Sequence, residues 1–260
     1  MSDKMIGIVG GVGNYAGIDL IRKIYDLTDA TCDQDHLPVS MLSTPHRIIG
    51  RTQYLLGETD INPGIAISEI IATLTTIGAE VIGIPCNTAH AKPIFDAIKD
   101  NIPASCILLH MIEEVGTYIS TNHSKIKCVG VLAVTTNIYP EILGKYNIDV
   151  IQPPEEMQNM YINPAIYSKD YGIKIFANPV QERAKNNLFT AAKYLCRRGA
   201  QAIILGCTEI PLAITEKQIE NSLVIDATSI LALALIRESR KGSNCMASDS
   251  HICSKEFKRG

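Results

Sequence analysis

No tryptophan occurs in this chain, and with only four phenylalanines the aromatic residues make up just 5% of it. Neither sign of charge dominates: 24 Lys and Arg stand against 27 Asp and Glu. No stripe of Lys and Arg interleaves with aromatics, so the footprint of a nucleic-acid binder is missing. No Cys-x-x-Cys occurs either, which excludes zinc-ribbon and thioredoxin spacing. Long apolar runs are lacking as well. Met1-Ser2-Asp3-Lys4 leads straight into a glycine-rich turn without the apolar centre of a secretory signal. The apolar stretch 230–236 is too short to span a bilayer. The expectation is a cytoplasmic protein with no membrane and no nucleic-acid partner.

What is present is an ordinary globular composition, 46% hydrophobic and 20% charged, in a length that suits one large or two small domains. Eight cysteines in 260 residues do not make a disulfide scaffold. Four of them, Cys32, Cys106, Cys128 and Cys196, lie in or beside apolar segments and read as reduced thiols of the interior. Cys86 and Cys207 are different. They sit in Ile84-Pro85-Cys86-Asn87-Thr88-Ala89-His90 and Leu205-Gly206-Cys207-Thr208-Glu209-Ile210-Pro211, each preceded by Gly-Ala and an apolar run. At a constant offset of 121 positions, Gly78, Ala79, Ile82 and Cys86 meet identical residues at Gly199, Ala200, Ile203 and Cys207. Each apolar run reads as a buried strand ending at its cysteine, and the Asn or Thr that follows suits a helix N-cap.

Along the chain, a strand at 5–9 breaks into Gly10-Gly11-Val12-Gly13-Asn14 and a helix over 15–28. A strand over 37–43 leads to a long polar connection, 44–63, that holds His46, Arg47 and Arg51; connections of this length are often functional. A helix over 65–77 precedes the first cysteine strand, and a helix over 88–99, a strand over 104–109 and a helix over 112–120 follow it. The strand at 126–133 echoes the first one. A helix over 138–145, a strand over 148–151, an acidic-capped helix with polar loop over 153–171 and an amphipathic helix over 179–198 lead to the second cysteine strand. Helices over 210–220 and 229–238 flank a last strand at 223–225, and 241–260 reads as a disordered tail.

Strands alternating with helices imply parallel sheets covered by helices. The repeat implies an α/β fold of two similar domains related by pseudo-twofold symmetry, with the active site in the cleft between them. The expected division is 1–103 plus 211–240 against 104–210. Ligands of open parallel sheets sit beyond the carboxyl ends of the strands, where both cysteines lie.

Two thiols on opposite walls of a cleft can invert a carbon acid without a cofactor. One thiolate takes a proton from one face of the carbon, and the opposite thiol delivers a proton to the other face. A free cysteine of pKa near 8.5 is only roughly 3% thiolate at neutral pH, and a helix N-terminus can raise that fraction. The sulfurs must each reach the carbon at about 3–3.5 Å, so they stand roughly 7 Å apart and unbridged.

The stretches Ile6-Gly7-Ile8-Val9-Gly10-Gly11-Val12-Gly13, Pro85-Cys86-Asn87-Thr88-Ala89-His90 and Gly206-Cys207-Thr208-Glu209-Ile210 together resemble the aspartate/glutamate racemase superfamily, and its aspartate racemase branch in particular. The resemblance covers about residues 5–238. It implies cofactor-independent chemistry without pyridoxal phosphate, commonly a homodimer, and D-amino-acid metabolism; no metal is expected, because no complete metal-ligand spacing occurs. It implies that Cys86 and Cys207 are the two acid/base groups. By the same resemblance Asn87, Thr88 and Thr208 hold the α-carboxylate, and Arg51 and Lys174 meet the distal carboxylate. Gly11, Asn14 and Asn137 belong to the substrate-binding turns, and Glu209 is a catalytic accessory beside Cys207 or an ordinary first-turn carboxylate. Val12 and Asn14 stand where the family often has methionine and proline. Val134 and Asn137 stand where threonine is common.

Other readings of the same residues are weaker. Gly11-Val12-Gly13-Asn14-Tyr15-Ala16 fits a dinucleotide fingerprint, but the strand at 37–43 does not end in the acidic residue such a site needs. His90 lies four residues after Cys86, a possible metal pair, with no further ligands near in sequence. The expected function is interconversion of L- and D-aspartate. The alternatives are a glutamate or broad-specificity racemase of the same fold, or an inert binding protein that keeps the cleft.

Overall fold

The structure, a computed structural model, describes residues 3–134 and 138–241. Asn137 and all of the expected tail beyond Lys241 lie outside the described residues. The first sheet takes β1 (Met5–Gly10), β2 (Val39–Ser43), β3 (Ala79–Gly83) and β4 (Ile107–Leu108) in the order β2-β1-β3-β4, all parallel. The second takes β5 (Cys128–Leu132), β6 (Asp149–Ile151), β7 (Ala202–Leu205), β8 (Gln218–Ile219) and β9 (Ser222–Asp226) in the order β6-β5-β7-β9-β8. Only the β8–β9 pair is antiparallel. Leaving β8 aside, the two orders are the same, so the duplication read from the cysteine motifs extends to the topology.

The helices are α1 (Asn14–Leu27), α2 (Arg51–Leu55), α3 (Pro63–Thr76), α4 (Lys92–Lys99), α5 (Met111–Asn122), α6 (Ile138–Gly144), α7 (Glu155–Met157), α8 (Asn163–Tyr167), α9 (Glu182–Arg197) and α10 (Ala227–Arg240). Strands β1, β3, β5 and β7 are apolar almost throughout because helices cover both of their faces. One core runs through the middle of the molecule and joins Ile6, Ile8 and Val81 of the first sheet to Val129, Val131 and Ile204 of the second through α5 and α10. Two smaller cores lie outside, one under α3 and one under α9.

Sheet membership departs from the expected division at two places. β4, placed by the sequence reading in the second domain, pairs with β3 of the first sheet, and β9, placed in the first, pairs with β7 of the second. The helices after them cross over: α10 packs on α1 and β3, and α5 packs on α6. Each half thus lends its last helix to the other, which a linear reading of the chain cannot show.

The expected helix over 210–220 is a correction. Only a single 3-10 turn forms, Ile210–Leu212, and the chain then enters the β8–β9 hairpin, with Glu220 at φ +51 in its turn. Pro211 starts the turn, and burial of Ile219 beside β9 outweighs local helix preference. After Cys86 the chain likewise makes a 3-10 turn, Asn87–His90, before α4 begins at Lys92. Neither cysteine therefore stands at the N-terminus of an α-helix, and the helix dipole expected to favour their thiolates is reduced to a few peptides.

Candidate active site

Both cysteine turns leave the carboxyl ends of central strands and meet over a cleft of about 340 Å³ between the two sheets. Cys86, 6% exposed, follows β3, and Cys207 follows β7. The turns are hydrogen-bonded to each other across the halves: the Thr208 hydroxyl donates to the Pro85 carbonyl at 3.1 Å. From α6, the Tyr139 hydroxyl donates to Asn87 Oδ1 at 2.6 Å. Neither Asn87 nor Thr208 caps a helix with its side chain, as the sequence had implied. Each is buried and used between the halves instead.

The glycine turn after β1 forms another wall. Gly11 has φ +83, and a Cβ there would lie 2.7 Å from the Pro45 nitrogen, so only glycine fits. A Cβ on Gly13 would lie 2.7 Å from Glu209 Oε1, so this glycine admits the Glu209 carboxylate from the other half. Asn14, the first residue of α1, is exposed at the cleft.

Arg51 opens α2. Its Nη2 donates to the Val12 carbonyl at 2.6 Å, and its Nε is buried with no hydrogen-bond partner. Burial works against its charge, but the adjacent Cys86 sulfur and, further off, Glu209 hold its pKa above the ordinary value. Glu209 is 3% exposed and joins the other cysteine to the second cation. Cys207 Sγ donates to Glu209 Oε2 at 3.0 Å, and Lys174 forms an ion pair with Glu209 Oε1. Burial, and then the charge of Glu209, push the Cys207 thiol well above its usual range, with Lys174 pulling the other way. Burial alone would raise the Glu209 pKa; Lys174 and the bond from Cys207 reverse that and lower it. Burial opposes the Lys174 ammonium too, yet Glu209 and Cys207 raise its pKa. The two thiols thus have different neighbours, a guanidinium at Cys86 and a carboxylate with its ammonium at Cys207.

Of the residues expected at the site, Gly11, Asn14, Arg51, Cys86, Asn87 and Thr88 from the first half line this one cleft. Lys174, Cys207, Thr208 and Glu209 line it from the second. The sequence reading missed two tyrosines. Tyr167 of α8 lines the cleft with Thr52, and its ring lies 5.7 Å from Lys174 Nζ. Tyr139 reaches in from beneath. Nothing local marks either one; the partner of Tyr139 is 52 positions away in the chain.

His90 points away from the cleft. Its Nδ1–H donates to the Cys86 carbonyl at 2.9 Å, and its ring packs on Phe95 and His110. Burial, then His110, lower its pKa to about 3, so it is neutral at any working pH. No group of three or more metal-capable side chains occurs among the described residues. No described helix is long and apolar enough to cross a membrane.

Comparison with known proteins follows the same line. The aspartate racemase of Picrophilus torridus superposes with a TM-score of 0.75 at 29% identity, over 91% of this chain and 94% of that one. An aspartate racemase homologue from Pyrococcus horikoshii gives 0.68 at 22% identity over 91% and 99%. Glutamate racemase from Francisella tularensis, in complex with D-glutamate, gives 0.60 at 16% over 91% and 81%, a likeness of fold. The sequence profile of the Asp/Glu/Hydantoin racemase family matches residues 9–235. The resemblance read from the cysteine motifs, including its aspartate branch, is therefore borne out, and the chain belongs to the Asp/Glu/Hydantoin racemase family.

Proposed function

We propose that this protein interconverts L- and D-aspartate without a cofactor, by proton transfer at Cα between Cys86 and Cys207. The observation that carries this is the pair of thiols, delivered by duplicated strand ends to opposite halves of a single cleft. In one direction a thiolate removes the α-proton and becomes a thiol, while the opposite thiol gives up its proton to the other face and becomes a thiolate. The carbon is inverted, no electron is gained or lost, and the pair is left ready for the reverse reaction.

The charges in the cleft favour an acidic substrate. Arg51 and Lys174 contribute two positive charges, which Glu209 and the working thiolate balance, so a dicarboxylate is favoured by where the two cations and their free donors stand rather than by a net positive charge. Lys174 gives one hydrogen bond to Glu209 and keeps other donors for a carboxylate, as an ammonium has three. Arg51 offers its unpartnered Nε, and Asn87 its unpartnered Nδ2. Two buried donors without acceptors mark a place for an anion, because each is costly unless a ligand satisfies it. We assign the distal carboxylate to Arg51 and Lys174, and the α-carboxylate to Asn87, Thr88 and the turn at Thr208. The working form proposed from the resemblance is a homodimer in the cytoplasm.

Circular dichroism of L-aspartate, D-aspartate, L-glutamate and L-alanine tests the assignment. The signal of both aspartate enantiomers should decay to zero, and much faster than that of glutamate or alanine. Fastest decay with glutamate would move the protein to that substrate, and no decay with any of them would favour an inert binding protein. Because two thiols suffice for the chemistry, activity should persist in chelator and the protein should show no pyridoxal phosphate absorbance. Loss of activity in chelator with recovery on adding metal would contradict this.

The neighbours of Cys207 also predict a pH effect. Turnover needs one thiolate and one thiol, so the pH profile of kcat/KM is a bell, and its basic limb reports loss of the last thiol proton. The charge of Glu209 helps to hold the Cys207 proton on. Glu209→Gln removes that charge and frees Lys174, and both changes lower the thiol pKa. The basic limb should therefore move to lower pH in this variant. A limb that stays in place, or moves up, would show that Glu209 does not govern the Cys207 proton.

A further inference from the structure

We propose that Tyr139 is a positioning residue, which fixes the side-chain amide of Asn87 so that its NH2 end rather than its carbonyl faces the ligand in the cleft. The ligand class, a dicarboxylate, rests on the racemase reading above; the orientation of the amide does not. An asparagine amide has a donor end and an acceptor end of nearly the same shape, and only its partners decide which way it points. Here the partner comes from the opposite half of the molecule. Tyr139, 1% exposed, donates its hydroxyl hydrogen to Asn87 Oδ1 at 2.6 Å, and Asn87 is itself 5% exposed. The other end of the amide, Nδ2, is buried with no partner in a residue that lines the cleft.

The phenol is suited to this task. Burial, with Cys207 and Asp226 adding to it, raises its pKa, so it remains a donor wherever the protein works. A donor at Oδ1 leaves two N–H groups for a carboxylate. Without it Oδ1 is buried and unpaired, so holding the NH2 end toward the ligand carries the cost of an unsatisfied acceptor and the empty cleft no longer presets that orientation. A turned amide would set a carbonyl oxygen against a carboxylate, which repels. Tyr139 touches no substrate in this account; it acts through Asn87 alone.

That dependence can be measured by a double-mutant cycle of Tyr139→Phe and Asn87→Ala, read as the Kd of succinate by calorimetry and as kcat/KM for aspartate. Alone, Tyr139→Phe should weaken succinate by about tenfold, the scale of one hydrogen bond to a charged ligand. In the Asn87→Ala background the same change should have less than about a twofold effect, since its only route is gone. A general packing role would give similar losses in both backgrounds and would overturn the inference. So would an unchanged Kd in Tyr139→Phe, or a wild type that binds no succinate. Asn87→Asp keeps an oxygen for Tyr139 but replaces the NH2 by a second oxygen; it should lose succinate by about a hundredfold or more, and retained binding would overturn the inference even if Tyr139→Phe does not fold. If wild type binds succinate but does not racemise aspartate, the racemase reading fails while the cycle still decides the role of Tyr139.

Discussion

Cys86→Ala and Cys207→Ala should each lower aspartate racemisation by about a thousandfold or more, because in the proposed mechanism each removes one of two obligatory proton carriers. Both variants should fold. Each change deletes one sulfur atom, and Cys86, the more buried of the two, lies at the end of a strand whose backbone pairing it does not make. The informative residue of activity is exchange of the α-proton with solvent. With Cys86 gone, the Cys207 thiolate still faces one side of the carbon and can wash the proton out of one enantiomer. With Cys207 gone, Cys86 can do so from the other. Exchange measured by proton NMR in heavy water should therefore survive for opposite enantiomers in the two variants. Near-normal racemisation by either variant would refute the two-thiol reading.

Arg51→Leu should impair aspartate by about a hundredfold in kcat/KM and a neutral amino acid such as alanine by at least about tenfold less. A planar guanidinium grips a carboxylate with paired donors, and Arg51 has an unsatisfied Nε buried in the cleft. The structure adds a second task, since the same guanidinium lies against the Cys86 sulfur. Part of the loss should therefore fall on every substrate, and only the excess on aspartate measures recognition of the distal carboxylate. Equal losses for aspartate and alanine would assign Arg51 to Cys86 alone. The acidic substrate would then rest on Lys174.

Much of the site was legible because the chain repeats itself. The match of Gly78, Ala79, Ile82 and Cys86 with Gly199, Ala200, Ile203 and Cys207 marks β3 and β7 as equivalent strands, and equivalent strands in two halves must end at equivalent places. Period and burial also reveal α1, α3 and α9, which are long and one-sided. What the sequence concealed depends on contacts between distant segments. The exchange of α5 and α10 between the halves is fixed by the shared core, not by any local signal. The 3-10 turn at Ile210–Leu212 replaces a helix because Ile219 is buried beside β9. Lys174 is marked in sequence only by the resemblance, and only the fold brings it to Glu209, 35 positions on.

The path of the α-proton tests the central claim most directly. L-aspartate is turned over in heavy water to a few per cent conversion, and both enantiomers are then separated and their deuterium content measured by mass spectrometry. Two thiols on opposite faces predict that the new D-aspartate carries deuterium at Cα, delivered by the second thiol, while the remaining L-aspartate is still protiated. The same experiment from D-aspartate should give the mirror result. D-aspartate that retains the substrate's own proton would mean that one group serves both faces, and would contradict the roles given to Cys86 and Cys207.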